Sequence, residues 1–222
     1  MKNSLTIPIA IVVGGIIVAG AIYFSLRPLT TNQIAGDPSL VRPVDSNDHI
    51  FGNPSAPVMI IEYTDFDCDF CKTFNDTLHQ IVANEGANGD IALVYREFPL
   101  IEIHPNAFSH ARAAECVAQT AGNDVFWKFV DVLFANQPVN PADYGTLASL
   151  VGISGNDFAT CFANASSTVD ARINADRQNA LLIGANGTPY SLILKKGDIP
   201  VVMSGAYSYD AVKLLVDKAL AK

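Results

Sequence analysis

The sequence has few basic residues for its length. Its 222 residues include 14 Lys and Arg against 22 Asp and Glu, which gives a formal net charge of −8 at pH 7. A nucleic-acid-binding protein needs a basic surface that neutralises phosphate, so the charge argues against this class. Only 16% of the residues are charged and 50% are hydrophobic, which excludes a disordered or coiled-coil chain. The length is sufficient for one well-packed domain.

Charge is absent from residues 5–26, which form a continuous apolar segment. A helix of this length spans a hydrocarbon core of about 30 Å. Lys2, on its N-terminal side, favours an N-terminus inside the cell and an exported body. We therefore predict a membrane anchor over residues 1–26, with a cleavable signal peptide as the alternative. Residues 27–48 lack hydrophobic periodicity and are predicted to form a flexible linker.

The rest of the chain has two β-rich halves that enclose a helical block. A buried strand, a helix and a second strand come first, and parallel pairing through a right-handed crossover is the default for such a unit. The pattern predicts an α/β domain over residues 49–222 with a helical insertion over about 104–182. The predicted strands are 58–63, 91–98, 190–194 and 201–204.

A pair of cysteines, Cys68 and Cys71, lies between the first of these strands and the helix that follows. At a helix N-terminus, unpaired backbone N–H groups and the helix dipole stabilise a thiolate. The thiolate is the form that attacks a disulfide, so Cys68 is the predicted nucleophile and Cys71 the resolving thiol. Nearby aspartates oppose the effect of the helix. We therefore expect Cys68 to be less acidic, and the pair less oxidising, than in a site with His or Pro between the cysteines. These aspartates are Asp65, Asp67 and Asp69.

Glu62 is an acidic residue in an otherwise apolar strand, six residues before Cys68. Strand alternation can place its carboxyl group beneath the dithiol, where a raised pKa would let it exchange a proton with Cys71. The alternative is a glutamate that faces solvent at a strand edge.

The segment from Glu62 to Lys72 resembles the active-site signature of the DsbA-like thioredoxin-fold disulfide oxidoreductases, and Gly187-Thr188-Pro189 resembles the cis-proline loop of that family. The resemblance covers about residues 48–220. It implies a thioredoxin fold with an inserted helical subdomain, here preceded by an N-terminal transmembrane helix. It also implies that Cys68 is exposed and attacking, and that Cys71 is buried.

The resemblance assigns roles to three further residues. Pro189 would be cis, Thr188 would offer backbone hydrogen bonds to an extended substrate, and Glu62 would be the buried acid. Asp69 departs from the family, since relatives often carry proline there, and this leaves the direction of electron flow open. His104 resembles a loop residue near the dithiol of relatives, although a histidine at a helix entry without a chemical role is the preferred interpretation.

Cys116 and Cys161 lie on separate predicted helices of the insertion. Four cysteines allow three pairings, and only one remains if Cys68 pairs with Cys71. A Cys116–Cys161 disulfide in an oxidising compartment is therefore predicted, with two buried thiols as the alternative. A zinc site from all four cysteines is disfavoured because these two lack paired-ligand spacing.

Together these features predict an extracytoplasmic, membrane-tethered thiol–disulfide oxidoreductase that forms disulfides in exported proteins. A reductase or isomerase in the same compartment is one alternative, and a non-catalytic disulfide-stapled binding domain is another. No organic cofactor or metal is implied. The resemblance implies a membrane redox partner, such as a quinone-coupled reoxidase, that restores the Cys68–Cys71 disulfide.

Overall fold

A computed structural model describes residues 36–165 and 168–221, and within them a five-stranded sheet is flanked by helices. The strands are β1 (His49–Gly52), β2 (Val58–Thr64), β3 (Ile91–Glu97), β4 (Tyr190–Lys195) and β5 (Val201–Ser204). The helices are α1 (Asp69–Asn84), α2 (Ala107–Ala121), α3 (Asn123–Ala135), α4 (Tyr144–Leu150), α5 (Gly155–Asn164), α6 (Val169–Leu182) and α7 (Tyr209–Leu220). Short 3₁₀ helices span Pro38–Leu40 and Pro141–Asp143.

The sheet has the strand order β1-β3-β2-β4-β5. The strands β2 and β3 are parallel, as the strand–helix–strand pattern predicts, whereas β4 is antiparallel to β2 and β5 is antiparallel to β4. The edge strand β1, antiparallel to β3, was not predicted. It has only four residues, of which one is buried, so it carries too little periodicity to be recognised.

Alternation along β2 separates two hydrophobic cores. Val58 and Ile60 join a core that contains α1, α2 and α3, whereas Ile61 and Tyr63 join a second core that contains the C-terminal half of α6. Because β2 is buried on both faces, its sequence is nearly all apolar. The helix α1 begins five residues after β2 ends, so its first turn lies at the C-terminal end of this central strand.

The predicted helical insertion is confirmed, with helices α2 to α6 between β3 and β4. Cys116 in α2 and Cys161 in α5 form a disulfide with a Cα–Cα distance of 5.6 Å. This bond agrees with the predicted pairing and excludes both alternatives, the pair of buried thiols and the four-cysteine zinc site. Closing a loop of this size stabilises the folded state by about 4 kcal/mol on the loop-entropy estimate.

The prediction of a flexible linker is wrong for the last part of residues 27–48. The backbone N–H of Asp37 donates to the Leu182 carbonyl at 3.1 Å, and the Arg42 guanidinium bonds Asp176 at 2.8 Å. Arg42 and Asp48 hold this segment against the domain, through Asp176 on α6 and Arg96 on β3. The composition of the segment does not indicate these partners. The segment was interpreted as a linker because these partners are distant in sequence.

The predicted membrane anchor over residues 1–26 lies outside the described residues. Within residues 36–165 and 168–221, no helix is long and apolar enough to cross a membrane.

Candidate active site

Cys68 is the N-cap residue of α1, and Cys71 lies in the first turn of that helix. The Cys68 carbonyl accepts the backbone N–H groups of Cys71 at 3.1 Å and Lys72 at 3.2 Å. Cys71 is fully buried, as the resemblance implies, but only 8% of Cys68 is exposed, so the expectation of an exposed Cys68 is wrong. Both cysteines are free thiols. The reactive sulfur therefore lies at the positive end of the helix, with the second sulfur inside the protein.

The two thiols have opposite pKa shifts. A hydrogen bond from the Cys71 thiol lowers the pKa of Cys68 to about 6, although partial burial opposes it, and the Thr188 hydroxyl and the backbone N–H groups of Cys71 and Phe70 add to the lowering. Burial is the main cause that raises the pKa of Cys71 well above its usual range, followed by the hydrogen bond to Cys68 and the charge of Glu62. Near pH 7, Cys68 is thus a thiolate and Cys71 a thiol.

Glu62 is buried, with 1% of its surface exposed, so the alternative of a solvent-facing edge residue is wrong. Burial raises the pKa of its carboxyl group to about 8, the nearby Thr64 hydroxyl opposes this shift, and the Cys68 thiolate adds to it. Within the described part of the chain neither carboxyl oxygen has a hydrogen-bond partner. The carboxyl group is therefore mostly protonated at pH 7, close to the thiol that must exchange a proton.

The loop before β4 covers one side of Cys68. The Thr188–Pro189 peptide bond is cis, as the resemblance implies. In its neutral form the Cys68 thiol donates to the Thr188 carbonyl at 3.4 Å. On another side, the Gln137 side-chain amide donates to the backbone carbonyl of Phe66. Sequence reasoning missed Gln137 because it is 71 residues away from Phe66 and belongs to no motif.

The aspartates near the dithiol are arranged differently from the sequence-based expectation. Asp65 accepts from the backbone N–H of Leu100 at 2.8 Å and bonds the His104 ring at 2.9 Å. Asp67 bonds the His110 ring at 3.0 Å. The pKa of Cys68 is lowered, and none of these carboxylates is among the causes that set it. That Cys68 is less acidic than in a site with His or Pro between the cysteines stays a prediction.

The histidines are closer to the site than the sequence suggested. His110 is fully buried and also bonds the Tyr144 hydroxyl, while the bond to Asp65 and the nearby acidic groups outweigh burial and raise the pKa of His104. His104 was assigned no chemical role, yet its ring is bonded to a carboxylate three residues before Cys68. No spacing rule links these histidines to the aspartates, so the pairs emerge only in the fold.

Phe70 lies between the two cysteines and has 70% of its side chain exposed. A large apolar side chain at the start of α1 supplies a contact surface beside the reactive sulfur. The site therefore combines a stabilised thiolate, a buried resolving thiol and a protonated carboxyl group with an apolar neighbour.

Among curated proteins, the Na⁺/H⁺ antiporter NhaA 1 of Mycolicibacterium gilvum is 34% identical over 152 residues, which are 68% of this chain and 24% of that protein. The Na⁺/H⁺ antiporter NhaA 3 of Salinispora tropica is 29% identical over 184 residues, which are 82% of this chain and 26% of that protein. The chain thus spans about a quarter of the length of the curated relatives it matches.

Solved structures of disulfide-exchange proteins share the fold. BdbD from Bacillus subtilis, in its oxidised form, superposes with a TM-score of 0.71 at 22% identity over 85% of this chain and 98% of that chain. Alpha-DsbA1 from Wolbachia pipientis superposes with a TM-score of 0.70 at 21% identity over 82% of this chain and 95% of that chain. The thioredoxin family model matches residues 45–218. The chain therefore belongs to the thioredoxin family, and its fold is the DsbA type with a helical insertion.

Proposed function

We propose that the protein is a membrane-tethered, extracytoplasmic thiol–disulfide oxidoreductase that forms disulfides in exported proteins. The carrying observation is the pair of thiols at the start of α1, with the pKa of Cys68 lowered to about 6 and that of Cys71 raised. A stabilised thiolate backed by a buried thiol is the arrangement that exchanges disulfides.

The reaction starts from the oxidised protein, in which Cys68 and Cys71 are joined. A substrate thiolate attacks the Cys68 sulfur, the Cys68–Cys71 bond breaks, and Cys71 leaves as a thiolate that takes a proton from Glu62. A second substrate thiolate then attacks the substrate sulfur of the mixed disulfide and releases Cys68 as a thiolate. Two electrons pass from the substrate dithiol to the protein, and the substrate leaves with a disulfide.

The low pKa of Cys68 supports net oxidation of substrates. A stabilised thiolate favours the reduced form of the protein, so its disulfide is more oxidising. Glu62, protonated at pH 7, supplies the proton that Cys71 needs when it leaves. Thr188 and Pro189 form the substrate-binding loop, with the Thr188 backbone available to an extended substrate segment.

Two features support the exported location. The first is the Cys116–Cys161 disulfide, because structural disulfides persist in oxidising compartments and are rare in cytosolic proteins. The apolar segment 5–26 supplies a membrane anchor with the N-terminus inside the cell. After each turnover, a membrane redox partner such as a quinone-coupled reoxidase would restore the disulfide. The ion transport in the names of the antiporter relatives is not carried over to this chain.

The test is trapping of substrates with a Cys71→Ala variant of the full chain in cells. Without the resolving thiol, Cys68 should accumulate mixed disulfides with exported proteins, visible as bands that disappear on reduction. The matched control is Cys68→Ala, which leaves only the buried thiol and should trap none. If Cys71→Ala traps nothing, or if Cys68→Ser retains full function, the protein is a binding domain and not an enzyme.

A second assay determines the direction of electron flow. The purified oxidised protein is mixed with a reduced substrate protein, and the reduced protein is mixed with insulin. We expect the oxidised protein to oxidise the reduced substrate faster than the reduced protein reduces insulin. Faster insulin reduction would assign the protein to the reductase or isomerase class.

A further inference from the structure

Four polar residues of β2 and β3 lie side by side on one face of the sheet beneath Cys71, and we call this set the dithiol face: Glu62, Thr64, Tyr95 and Glu97. The parallel register pairs Glu62 with Tyr95 and Thr64 with Glu97. Tyr95 packs against Phe66, Phe126 and Trp127, on the same side as α1 and α3. Because alternate residues share a face and paired strands are about 4.8 Å apart, Thr64 lies between the two glutamates.

All four residues of the dithiol face are at most 1% exposed. Their side-chain oxygens have no protein hydrogen-bond partner among the described residues. Buried polar groups in folded proteins are almost always hydrogen-bonded, to ordered water where no protein group is available. The hydroxyl groups of Thr64 and Tyr95, bridged by internal water, can therefore connect Glu62 to Glu97.

Charge pairing leaves Glu97 without a basic partner. Three nearby buried acids each form an ion pair with a guanidinium: Asp48 with Arg96 at 2.9 Å, Asp176 with Arg42 at 2.8 Å, and Glu115 with Arg172 at 3.0 Å. A fourth, Asp65, pairs with His104. Glu97 makes no ion pair within residues 36–165 and 168–221. A buried carboxyl group without a partner stays protonated.

The pKa of Glu97 agrees with its lack of a basic partner among the described residues. Burial raises it well above its usual range, the charges of Glu115 and Asp176 add to the increase, and Arg172 opposes it. The groups that face Glu97 are Tyr95 on its own strand, Asp65 after β2, Glu115 on α2, and Arg172 and Asp176 on α6.

Glu97 is close to two residues, Glu115 and Arg172, that line a surface cavity. Its backbone N–H donates to Asp176 at 3.3 Å, and Arg172 precedes Asp176 by about one turn of α6. Arg172 and Glu115 line a surface cavity of about 370 Å³, whose lining also includes the exposed residues Asn47 and Gln119. The proton that Cys71 exchanges needs a route to solvent that does not pass Cys68, since Cys71 is fully buried and a bound substrate covers Cys68.

We propose that Glu97 is a positioning and proton-relay residue that connects Glu62, through Thr64, to the cavity beside Glu115. This inference rests on the proposed function and extends it. When Cys71 leaves as a thiolate, Glu62 gives it a proton. Glu97 then reprotonates Glu62 through the Thr64 hydroxyl and water, and is itself reprotonated from the cavity. In the reverse direction each proton moves the opposite way, and no electron is transferred in the relay.

The experiment measures the Cys71-dependent step directly. Reduced protein is mixed with oxidised glutathione, and acid quenching separates formation of the Cys68–glutathione mixed disulfide from its resolution by Cys71. At pH about 7, Glu97→Gln should slow resolution about tenfold, less than the loss of a direct proton donor would, because Glu62 remains. Formation of the mixed disulfide and the Cys68 pKa should not change. Glu97→Asp, which still carries a proton, should recover part of the rate.

The control variant is Tyr63→Phe, which removes a buried hydroxyl at the adjacent register position on the other face of the sheet. It should leave the resolution rate unchanged. A wild-type resolution rate in Glu97→Gln, or equal slowing in both variants, would overturn the relay while leaving the proposed function intact. If the wild-type protein does not exchange with glutathione at all, the proposed function fails.

A second measurement does not depend on how the variants fold. In wild-type protein with ¹³C-labelled glutamate side chains, the Glu97 carboxyl signal should remain that of a protonated acid through neutral pH. It is assigned by its absence in Glu97→Gln or, if that variant does not fold, by through-bond correlation to the backbone. Ionisation of Glu97 together with the exposed glutamates would refute the relay whatever the kinetics.

Discussion

On the face of the sheet opposite the dithiol, Arg96 is fully buried and bonds both oxygens of Asp48 as well as the Tyr63 hydroxyl. Its pKa is raised, since the bonds to Asp48 outweigh the effect of burial. On the dithiol face, Glu62 and Glu97 are equally buried, but no protein group among the described residues bonds their carboxyl oxygens. The two faces belong to the same pair of strands.

This difference separates polar groups that hold the fold from polar groups that carry out chemistry. A charge whose partners are all in place is fixed in one protonation state, so it cannot exchange protons near neutral pH. A buried carboxyl group without a partner is held neutral and has a pKa close to the working range of an enzyme. Changes on the first face should therefore alter stability, whereas changes on the second should alter the exchange chemistry.

The largest effect is expected for Arg96→Met, which keeps an unbranched apolar stem but removes the guanidinium and its charge. Asp48 loses its closest guanidinium partner in a buried position, so the free energy of unfolding should fall by about 3–5 kcal/mol. Denaturant unfolding at pH 7 measures this loss, and thiolate absorbance should give an unchanged Cys68 pKa. A loss below about 1 kcal/mol would mean that the network does not hold the fold.

Glu62→Gln should have the opposite effect on stability. Because burial raises the pKa of Glu62 to about 8, the folded protein binds this proton more tightly than the unfolded chain, whose ordinary value is 4.5. Its contribution to stability is therefore complete below pH 4.5 and is lost as the pH rises towards 8. Glutamine has no proton to lose. The free energy of unfolding of the variant, relative to wild type, should therefore increase by about 2–3 kcal/mol when the pH is raised from 5 to 7.

Denaturant unfolding at the two pH values measures the gain, and disulfide exchange at pH 7 should be slower in the same variant. Glu85→Gln is the control: bonds from Lys213 and Tyr209 lower the pKa of this carboxyl group, so the variant should show no comparable gain. If Glu62→Gln loses stability as the pH rises, the carboxyl group is ionised in the folded protein and the distinction between the two faces fails.

Much of this organisation could be predicted from the sequence. The apolar run of β2, the dithiol at the start of α1 and the Gly187-Thr188-Pro189 loop are local patterns, and each led to the correct element. Glu62 stood out because it interrupts an apolar strand. Such signals need only neighbours in the sequence, together with the alternation that a strand imposes.

Glu97, Gln137 and the aspartate–histidine pairs could not be predicted in the same way. The hydrogen-bond partners of Gln137 and of the aspartates are 39 or more residues away. The protonation state of Glu97 depends on charges that the fold brings near it from other elements. Glu97 ends a buried strand and could equally have faced a lysine or solvent. The expectation for the aspartates near Cys68 counts charges along the chain and omits the histidines that pair with two of them in the fold.

The smallest effect is expected at the mouth of the site, for His104→Gln. The bond to Asp65 raises the pKa of His104, although burial opposes it, so the ring is positive below its pKa and becomes neutral as the pH rises. The variant removes the positive charge of His104, and it also leaves the negative charge of Asp65 without its charged partner. Both changes make the surroundings of Cys68 more negative and therefore destabilise its thiolate. The pKa of Cys68 should rise by less than about one unit, because the ring is partly exposed and solvent weakens its field.

Thiolate absorbance titration measures the shift, and His79→Gln, on the far part of α1, should leave the Cys68 pKa unchanged. Added salt should reduce the His104 effect, since it screens an exposed charge. Salt should not reduce the gain in the free energy of unfolding from Glu62→Gln, because that carboxyl group is buried. If salt altered both effects equally, the groups beneath the sulfur would be as accessible to solvent as those at the mouth. Glu62 and Glu97 could then exchange protons directly with bulk water, and a relay beneath Cys71 would not be needed.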